Sequence, residues 1–365
     1  MSKSKGDILL LGSYGRGNIG DDAFLLAALK LFKGHRLFIN SANDELLPEA
    51  VKGKVSTIAT SGSRDLLQKF KMFRQIEHIV YCGGDLWVEL YGDRFPRQSL
   101  YKMVIVNLIA RLSGKKVHYV GCGIGKLSGY SLFLARLSAR LAQGIIVREP
   151  RSARVLNLKK VRILPDLVTN LDITTQRKQH KGKFTIGVSI LYYLPDPEKN
   201  FPRLIKNISK SLGRLPADQY RIVLFPMLSS PSDDHDDVWA SEQLREALPG
   251  LEVSISSSRE VDEYVAELRN VDVLIGARLH ANIISLLAGV PVIGIAYRTK
   301  VAQFFEMSKL GNYYIELDDL TPELLSSKLQ EVQDEYKTAM GHVIAARNQN
   351  IEERKGYQDF VATYL

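Results

Sequence analysis

VDVLIGARLHANIISLLAGVPVIGI, Val271 to Ile295, holds a complete strand–helix–strand unit. Its opening VDVLIGA is a short unbroken apolar run, the pattern of a strand buried on both faces. An apolar helix follows and ends at Gly289, and Pro291 then opens a second strand, VIGIA. Arg278 and His280 therefore fall where a strand ends and a helix begins. A guanidinium placed there can clamp a carboxylate or phosphate bidentately. The helix N-terminus adds positive potential, and an imidazole beside the anion can give or take a proton near neutral pH. A capping histidine with a surface arginine is the plainer alternative. Two functional side chains flanking Leu279 in an otherwise apolar stretch argue against it.

The same alternation runs outward in both directions. DILLLGS, RLFIN, EHIVYCGGD, KVHYVGCGIG and QGIIVRE read as strands, with AFLLAALKLFK the first of the helices between them. FTIGVSI, YRIVLFP, VDVLIGA and VPVIGIAY repeat the pattern, with helices at Pro202 to Leu212 and Val261 to Leu268. A last helix is expected from about Thr321 into the basic C-terminal region. TTQRKQHKGK, Thr174 to Lys183, has no apolar periodicity and reads as a linker. Such alternation specifies an α/β chain of two halves, each a parallel sheet covered by helices, spanning residues 1–175 and 183–345. Ligands bind such sheets beyond the carboxyl ends of the strands, so the site is expected in a cleft between the halves.

GSYGRGNIGDDAF, Gly12 to Phe24, is a glycine-rich turn between a strand and a helix. Gly15, Gly17 and Gly20 nominally match a dinucleotide fingerprint. The first matching glycine comes late, however, and the next strand ends in Asn40 where a ribose-binding acid would stand. What remains is a set of backbone N–H groups at a helix N-terminus, suited to an anion or polar substrate. Asn18, Gly20 and Asp21 are candidates for the site; in the alternative reading Asp21 or Asp22 is only a helix cap. Arg148, next to Glu149, directly follows a strand and could reach the same region, as could Arg298 or Lys300 in AYRTKV. The acidic run Ser232 to Ala240 reads as a capped helix start before it reads as a metal site.

Composition narrows the classes. The chain has 365 residues and a formal charge of +9, with Lys and Arg spread along it rather than gathered in one stripe. With no nucleic-acid motif, this balance points to anionic substrates or a weak preference for a membrane surface. Cys82 and Cys122 form no Cys-x-x-Cys pair, which disfavours a zinc site and fits a reducing compartment. The short apolar run after MSKSK does not make a signal peptide, so a cytoplasmic location is expected.

Taken together, GSYGRGNIGDDA, the Gly-Gly-Asp strand end, GCGIG, the VRE segment and GARLHANIISLLAGVPVIGIAYRTKV resemble the polysaccharide pyruvyl transferase family across nearly the whole chain. The resemblance implies two Rossmann-like domains arranged as in GT-B glycosyltransferases, with residues 346–365 a terminal helix packing back on the first. It implies the acceptor on the first domain and phosphoenolpyruvate on the second, with pyruvate passed to a sugar as a ketal. Arg278 and His280 match the family's Arg-Leu-His site, and Arg148 matches a further phosphoenolpyruvate-binding arginine. Arg278, Arg148 and Lys300 would hold the donor, and Asn18 and Gly20 would contact substrate. His280 would be the acid/base and Asp21 a base orienting the sugar hydroxyl, with no metal or other cofactor. Tyr-Arg-Thr-Lys stands where the family more often has Tyr-Asp-Pro-Lys, which leaves Arg298 without an assigned role. A lipid-linked acceptor and a peripheral place at the inner membrane face would fit the basic charge. A glycosyltransferase using a nucleotide sugar is the alternative, and a non-catalytic sugar-binding relative a third reading.

Overall fold

Two all-parallel sheets account for the apolar runs. The structure, a computed structural model, describes residues 6–59, 73–87, 98–127, 129–175, 182–230 and 233–365. Residues 176–181, the middle of the linker read from the sequence, lie outside them. The chain forms two units, each described below by itself.

The first unit comprises Met1–Arg16, Asp21–Leu171 and Glu353–Leu365. Its strands are β1 (Asp7–Leu11), β2 (Leu37–Ser41), β3 (Ser56–Ala59), β4 (Ile76–Cys82), β5 (Asp85–Trp87), β6 (Lys116–Ile124), β7 (Gly144–Val147) and β8 (Val161–Ile163). They lie in the order β3-β2-β1-β4-β6-β7-β8, with β5 paired to an extension of β6. The helices are α1 (Ile19–Leu31), α2 (Gln98–Leu112), α3 (Gly129–Leu141), α4 (Pro150–Leu156) and, from the chain's end, the last helix (Gly356–Tyr364). α1 is apolar nearly all round, and Ala23, Leu25, Ala27 and Ala28 are fully buried, as expected of a helix with no solvent face to spare. Asn40, at the end of β2, closes on Gly12: its Nδ2 donates to the Gly12 carbonyl at 2.7 Å and its Oδ1 accepts the Gly12 N–H at 2.8 Å. The side chain at the ribose-binding position of dinucleotide folds is thus engaged in shaping the first turn. Within the sheet, His78 Nδ1 faces His118 Nε2 at 3.2 Å. Tyr357 and Phe360 of the last helix are fully buried in this unit, and the Tyr357 hydroxyl donates to the Pro165 carbonyl at 2.7 Å.

The second unit comprises Gly17–Gly20 and Asp172–Glu352. Its strands are β9 (Phe184–Ser189), β10 (Tyr220–Leu224), β11 (Glu252–Ile255), β12 (Val273–Gly276), β13 (Val292–Ala296) and β14 (Tyr314–Glu316). Their order is β11-β10-β9-β12-β13-β14, the doubly wound arrangement in which strand order reverses between the first and fourth strands. That switch point lies between β9 and β12, in the register Ile275↔Val188. Helices α5 (Pro197–Leu212), α6 (Asp237–Glu246), α7 (Val261–Leu268), α8 (Leu279–Ala288), α9 (Thr299–Met307), α10 (Pro322–Asp334) and α11 (Tyr336–Glu353) complete it. With these ranges given, the last helix is α12. α5 starts at Pro197 rather than Pro202, because Pro197 occupies the first turn, where a missing N–H costs nothing; Pro202 is accommodated inside. The single final helix expected from Thr321 is instead α10, α11 and α12, with a first break at Glu335 (φ −107°, ψ 37°). Among the described residues, no helix is long and apolar enough to cross a membrane.

Candidate active site

The switch point of the second unit carries the polar cluster. β12 ends at Gly276, the Ala277 N–H donates to the Ser189 carbonyl at 2.8 Å, and the next residue, Arg278, is the N-cap of α8 with extended backbone. Arg278 Nε donates to Asp237 Oδ2 at 2.8 Å, and its Nη2 donates to Asp237 Oδ1, a bidentate pair. Asp237 opens α6 and is fully buried. Its Oδ2 also accepts the backbone N–H groups of Met227 and Leu228, each at 3.1 Å. A charged acceptor with four donors aimed at it is a strong anchor, and it fixes the plane of the Arg278 guanidinium. The arginine side chain keeps 18% of its surface exposed.

The segment held by Asp237 in turn holds the glycine-rich turn. Met227 accepts the Ile19 N–H at 2.8 Å, Ser229 donates to the Gly17 carbonyl at 2.9 Å, and Asn18 bridges Leu228 in antiparallel fashion. Gly17 adopts φ +69°, and a Cβ there would stand 2.2 Å from the Ser229 carbonyl oxygen. Both facts require glycine. Asn18 Oδ1 accepts the Gly20 N–H at 2.9 Å, so Asn18 caps α1. Gly20 lies against the imidazole of His280: a Cβ built on it would fall 2.2 Å from Nδ1. The N-termini of α1 and α8 thus meet at Gly20 and His280, and both contribute positive potential. Asn18, Gly20, Arg278 and His280, from two motifs far apart in sequence, are brought together in one unit.

Three residues beside this cluster escaped the sequence reading. Asp237 sits in the acidic run, where nothing in the spacing distinguishes it from Asp233 and Asp236. Those two do other work: Asp236 caps α6 through the Trp239 N–H at 2.9 Å, and Asp233 accepts the Tyr193 hydroxyl at 2.5 Å. The Tyr193 hydroxyl is pushed up to about 12 by burial and by Asp233, with Arg278 close enough to oppose the shift. Tyr264, on α7, is fully buried; burial, then the Asp237 charge, raise its hydroxyl, and Arg278 opposes.

The other candidates are carried by other elements. Lys300 is half-buried in the first turn of α9, and the exposed Arg298 caps that helix with its guanidinium 5.6 Å from the Tyr297 ring. Arg298, Tyr297, Thr299, Pro195, Asn200 and Asp318 line a cavity of about 340 Å³. Asp21 is half-buried in the first turn of α1 and belongs to the first unit. Arg148, also in the first unit, is only 4% exposed. Its Nη2 donates to Asp85 at 2.7 Å, Nη1 to Asp166 at 3.1 Å and Nε to Glu149 at 3.3 Å. Burial raises Asp166, with Arg148 opposing. Gly123 makes room for this cluster, since a Cβ there would meet Asp85 Oδ1 at 2.7 Å.

Two doubly wound parallel sheets, with a polar cluster at the switch point of the second, define a protein of the GT-B type. Solved structures of that type are similar throughout. A glycosyltransferase from Rickettsia africae matches with a TM-score of 0.66 and 12% identity, over 99% of this chain and 98% of that one. Anabaena HepE, solved with UDP and glucose, matches with a TM-score of 0.64 and 12% identity, over 98% and 99%. A putative UDP-N-acetylglucosamine 2-epimerase from Listeria monocytogenes matches with a TM-score of 0.64 and 12% identity, over 99% and 95%. A search of curated protein sequences found no match. The polysaccharide pyruvyl transferase family model matches residues 18–299, from Asn18 of the glycine-rich turn to the start of α9, and the chain belongs to that family.

Proposed function

We propose that the protein transfers pyruvyl from phosphoenolpyruvate to a sugar of an exopolysaccharide or cell-wall polymer precursor, forming a ketal. One observation carries this reading: an arginine fixed by a buried carboxylate stands at the shared N-termini of two helices, beside an imidazole. That arrangement suits a compact anion bearing a carboxylate and a phosphate. Arg278 binds the donor, with Lys300 as a second cation. His280 protonates the methylene carbon, and positive charge develops on the neighbouring carbon, where a sugar hydroxyl adds. A second hydroxyl displaces phosphate and closes the ketal. The two hydroxyl protons, one passing through His280 or Asp21, balance the one taken up by the methylene and the one leaving with phosphate. Gly20 forms the floor on which the imidazole rests, and Asn18 caps the helix that carries Gly20. Arg148 is assigned a structural role instead, because each guanidinium nitrogen already faces a protein carboxylate.

The acceptor is proposed to be lipid-linked, which places the protein at the cytoplasmic face of a membrane. The test is phosphate release from phosphoenolpyruvate with a panel of lipid-linked saccharides, with product mass measured. A mass gain of pyruvate less water is expected, and His280→Ala should lower the rate by about 10²- to 10⁴-fold with the fold intact. Undiminished turnover removes the assignment. A nucleotide-sugar glycosyltransferase is the second reading, favoured by the UDP and glucose in the Anabaena structure and by the cavity beside Arg298. A thermal shift with UDP-sugars and none with phosphoenolpyruvate would select it.

A further inference from the structure

We propose that the outer face of α2 and α3 in the first unit docks on an anionic lipid surface. It deepens the membrane part of the proposed function. On α2, Tyr101, Ile105, Leu108, Ile109 and Leu112 are 42, 55, 46, 49 and 80% exposed, while Leu100, Met103, Asn107 and Ala110 are buried. At about 100° per residue, the exposed five fall in a stripe roughly 100° wide, opposite the buried set. A helix packed on a sheet ordinarily turns charge outward at such positions. This one is apolar on both sides. α3 continues the patch through Tyr130 and Phe133, 47 and 51% exposed. The Tyr101 and Tyr130 ring centroids are 5.9 Å apart, as are those of Tyr130 and Phe133. A contiguous exposed apolar area of this kind marks an interaction surface.

Charge selects the occupant. From Arg94 through Arg148 the sequence has no Asp or Glu. Lys102 and Arg111, both exposed, fall on opposite borders of the α2 stripe by helical geometry. Arg140 is exposed on α3, and Lys126 is exposed just before it. An apolar stripe edged by Lys and Arg is the pattern of a surface that enters the interfacial zone of a bilayer, where the cations meet anionic headgroups. A second copy of the same face fits poorly, because it would set these cations against each other with no acidic side chain on either helix to pair them.

The experiment is flotation of the full-length protein with vesicles of phosphatidylcholine mixed with phosphatidylglycerol, and with phosphatidylcholine alone. Two double variants are compared, Ile105→Glu with Leu112→Glu and Lys102→Glu with Arg111→Glu; all four sites are exposed, and thermal unfolding verifies the fold. Binding to the anionic vesicles is expected, weakened about tenfold or more in neutral vesicles, in salt and in both variants. Turnover of a soluble saccharide acceptor should not change in the variants, so lipid docking and pyruvyl transfer fail separately. Absence of flotation with anionic vesicles overturns the proposal, as do variants that float like the parent. A lipid-free dimer that Ile105→Glu with Leu112→Glu turns into monomer also overturns it, and assigns the face to a second copy.

Discussion

Asp237→Asn tests whether one buried carboxylate organises the candidate site. The substitution keeps the size of the side chain and removes the charge that faces Arg278. Breaking a buried ion pair costs about 3–5 kcal/mol, and the 18% exposure of Arg278 puts this pair near the lower end. The N–H groups of Met227 and Leu228 lose a charged acceptor for a neutral one, about 1 kcal/mol together or somewhat more. A loss of roughly 4 kcal/mol is therefore expected. Trp239, in α6 two residues from Asp237, reports it: urea unfolding is followed by fluorescence in a Trp87→Phe background, so that only the second unit is read. The sharper measurement is a double-mutant cycle with Arg278→Met. Each single change removes one side of the pair, and the two changes together remove both. The double variant should be more stable than the two losses predict by about 2 kcal/mol or more. In turnover, Asp237→Asn should raise the KM for phosphoenolpyruvate, since Arg278 loses its fixed plane. Additivity within about 0.5 kcal/mol would refute the coupling, and with it the view that Asp237 sets the arginine.

Gly20→Ala should lower turnover by about 10²-fold while leaving the fold intact, because the new methyl would overlap the His280 ring, 2.2 Å from Nδ1; alanine otherwise favours the helix. Unaltered kcat with an ordered α1 would detach Gly20 from the imidazole. Arg148→Leu should destabilise the first unit by about 3–5 kcal/mol, as three carboxylates lose their shared cation, with the KM for phosphoenolpyruvate in the folded fraction within about twofold of the parent. A tenfold higher KM in a stable variant returns Arg148 to donor binding. Burial lowers His78 to about 4 and His118 to about 3, from 6.5 in the unfolded chain. Between these limits the unfolded chain holds more protons, so stability is full above pH 6.5 and falls as pH drops towards 4, by as much as about 1.4 kcal/mol per depressed unit. His118→Phe should flatten that slope in urea titrations, and an unchanged slope assigns the acid sensitivity elsewhere.

The strands legible in the sequence are the interior ones. β1, β2, β4, β6, β7, β9, β10, β12 and β13 are short apolar runs because each is flanked on both sides in its sheet and covered by helices. The edge strands β3, β8, β11 and β14 are not legible in it. β8 is half-buried or exposed at every residue, and β11 alternates exposed and half-buried positions, so neither carries the apolar signature. β5, three residues long, pairs only beyond the main body of β6. The site divides in the same way. Arg278 and His280 announce themselves by being polar inside an apolar unit. Asp237 is one of four aspartates in a five-residue stretch, and only tertiary packing chooses it.

Arg148 and Arg278 have the same local signature, an arginine at or just past the carboxyl end of a parallel strand, and the structure gives them opposite surroundings. Arg278 is paired with Asp237, keeps 18% of its side-chain surface and lies at the first turn of an α-helix whose N-terminus adjoins another. Arg148 meets three carboxylates and keeps 4%. A small anion reaching Arg278 finds a neutralised pair plus the positive ends of two helices. The same anion reaching Arg148 would have to displace a protein carboxylate and then remain beside the others. The cost of that exchange in a buried setting exceeds anything one added hydrogen bond returns. The distinction is carried by Asp85 and Asp166, which lie 63 and 18 residues from Arg148 in sequence. For an arginine at a strand end, burial among three carboxylates argues for structure, and retained exposure beside two helix N-termini argues for substrate.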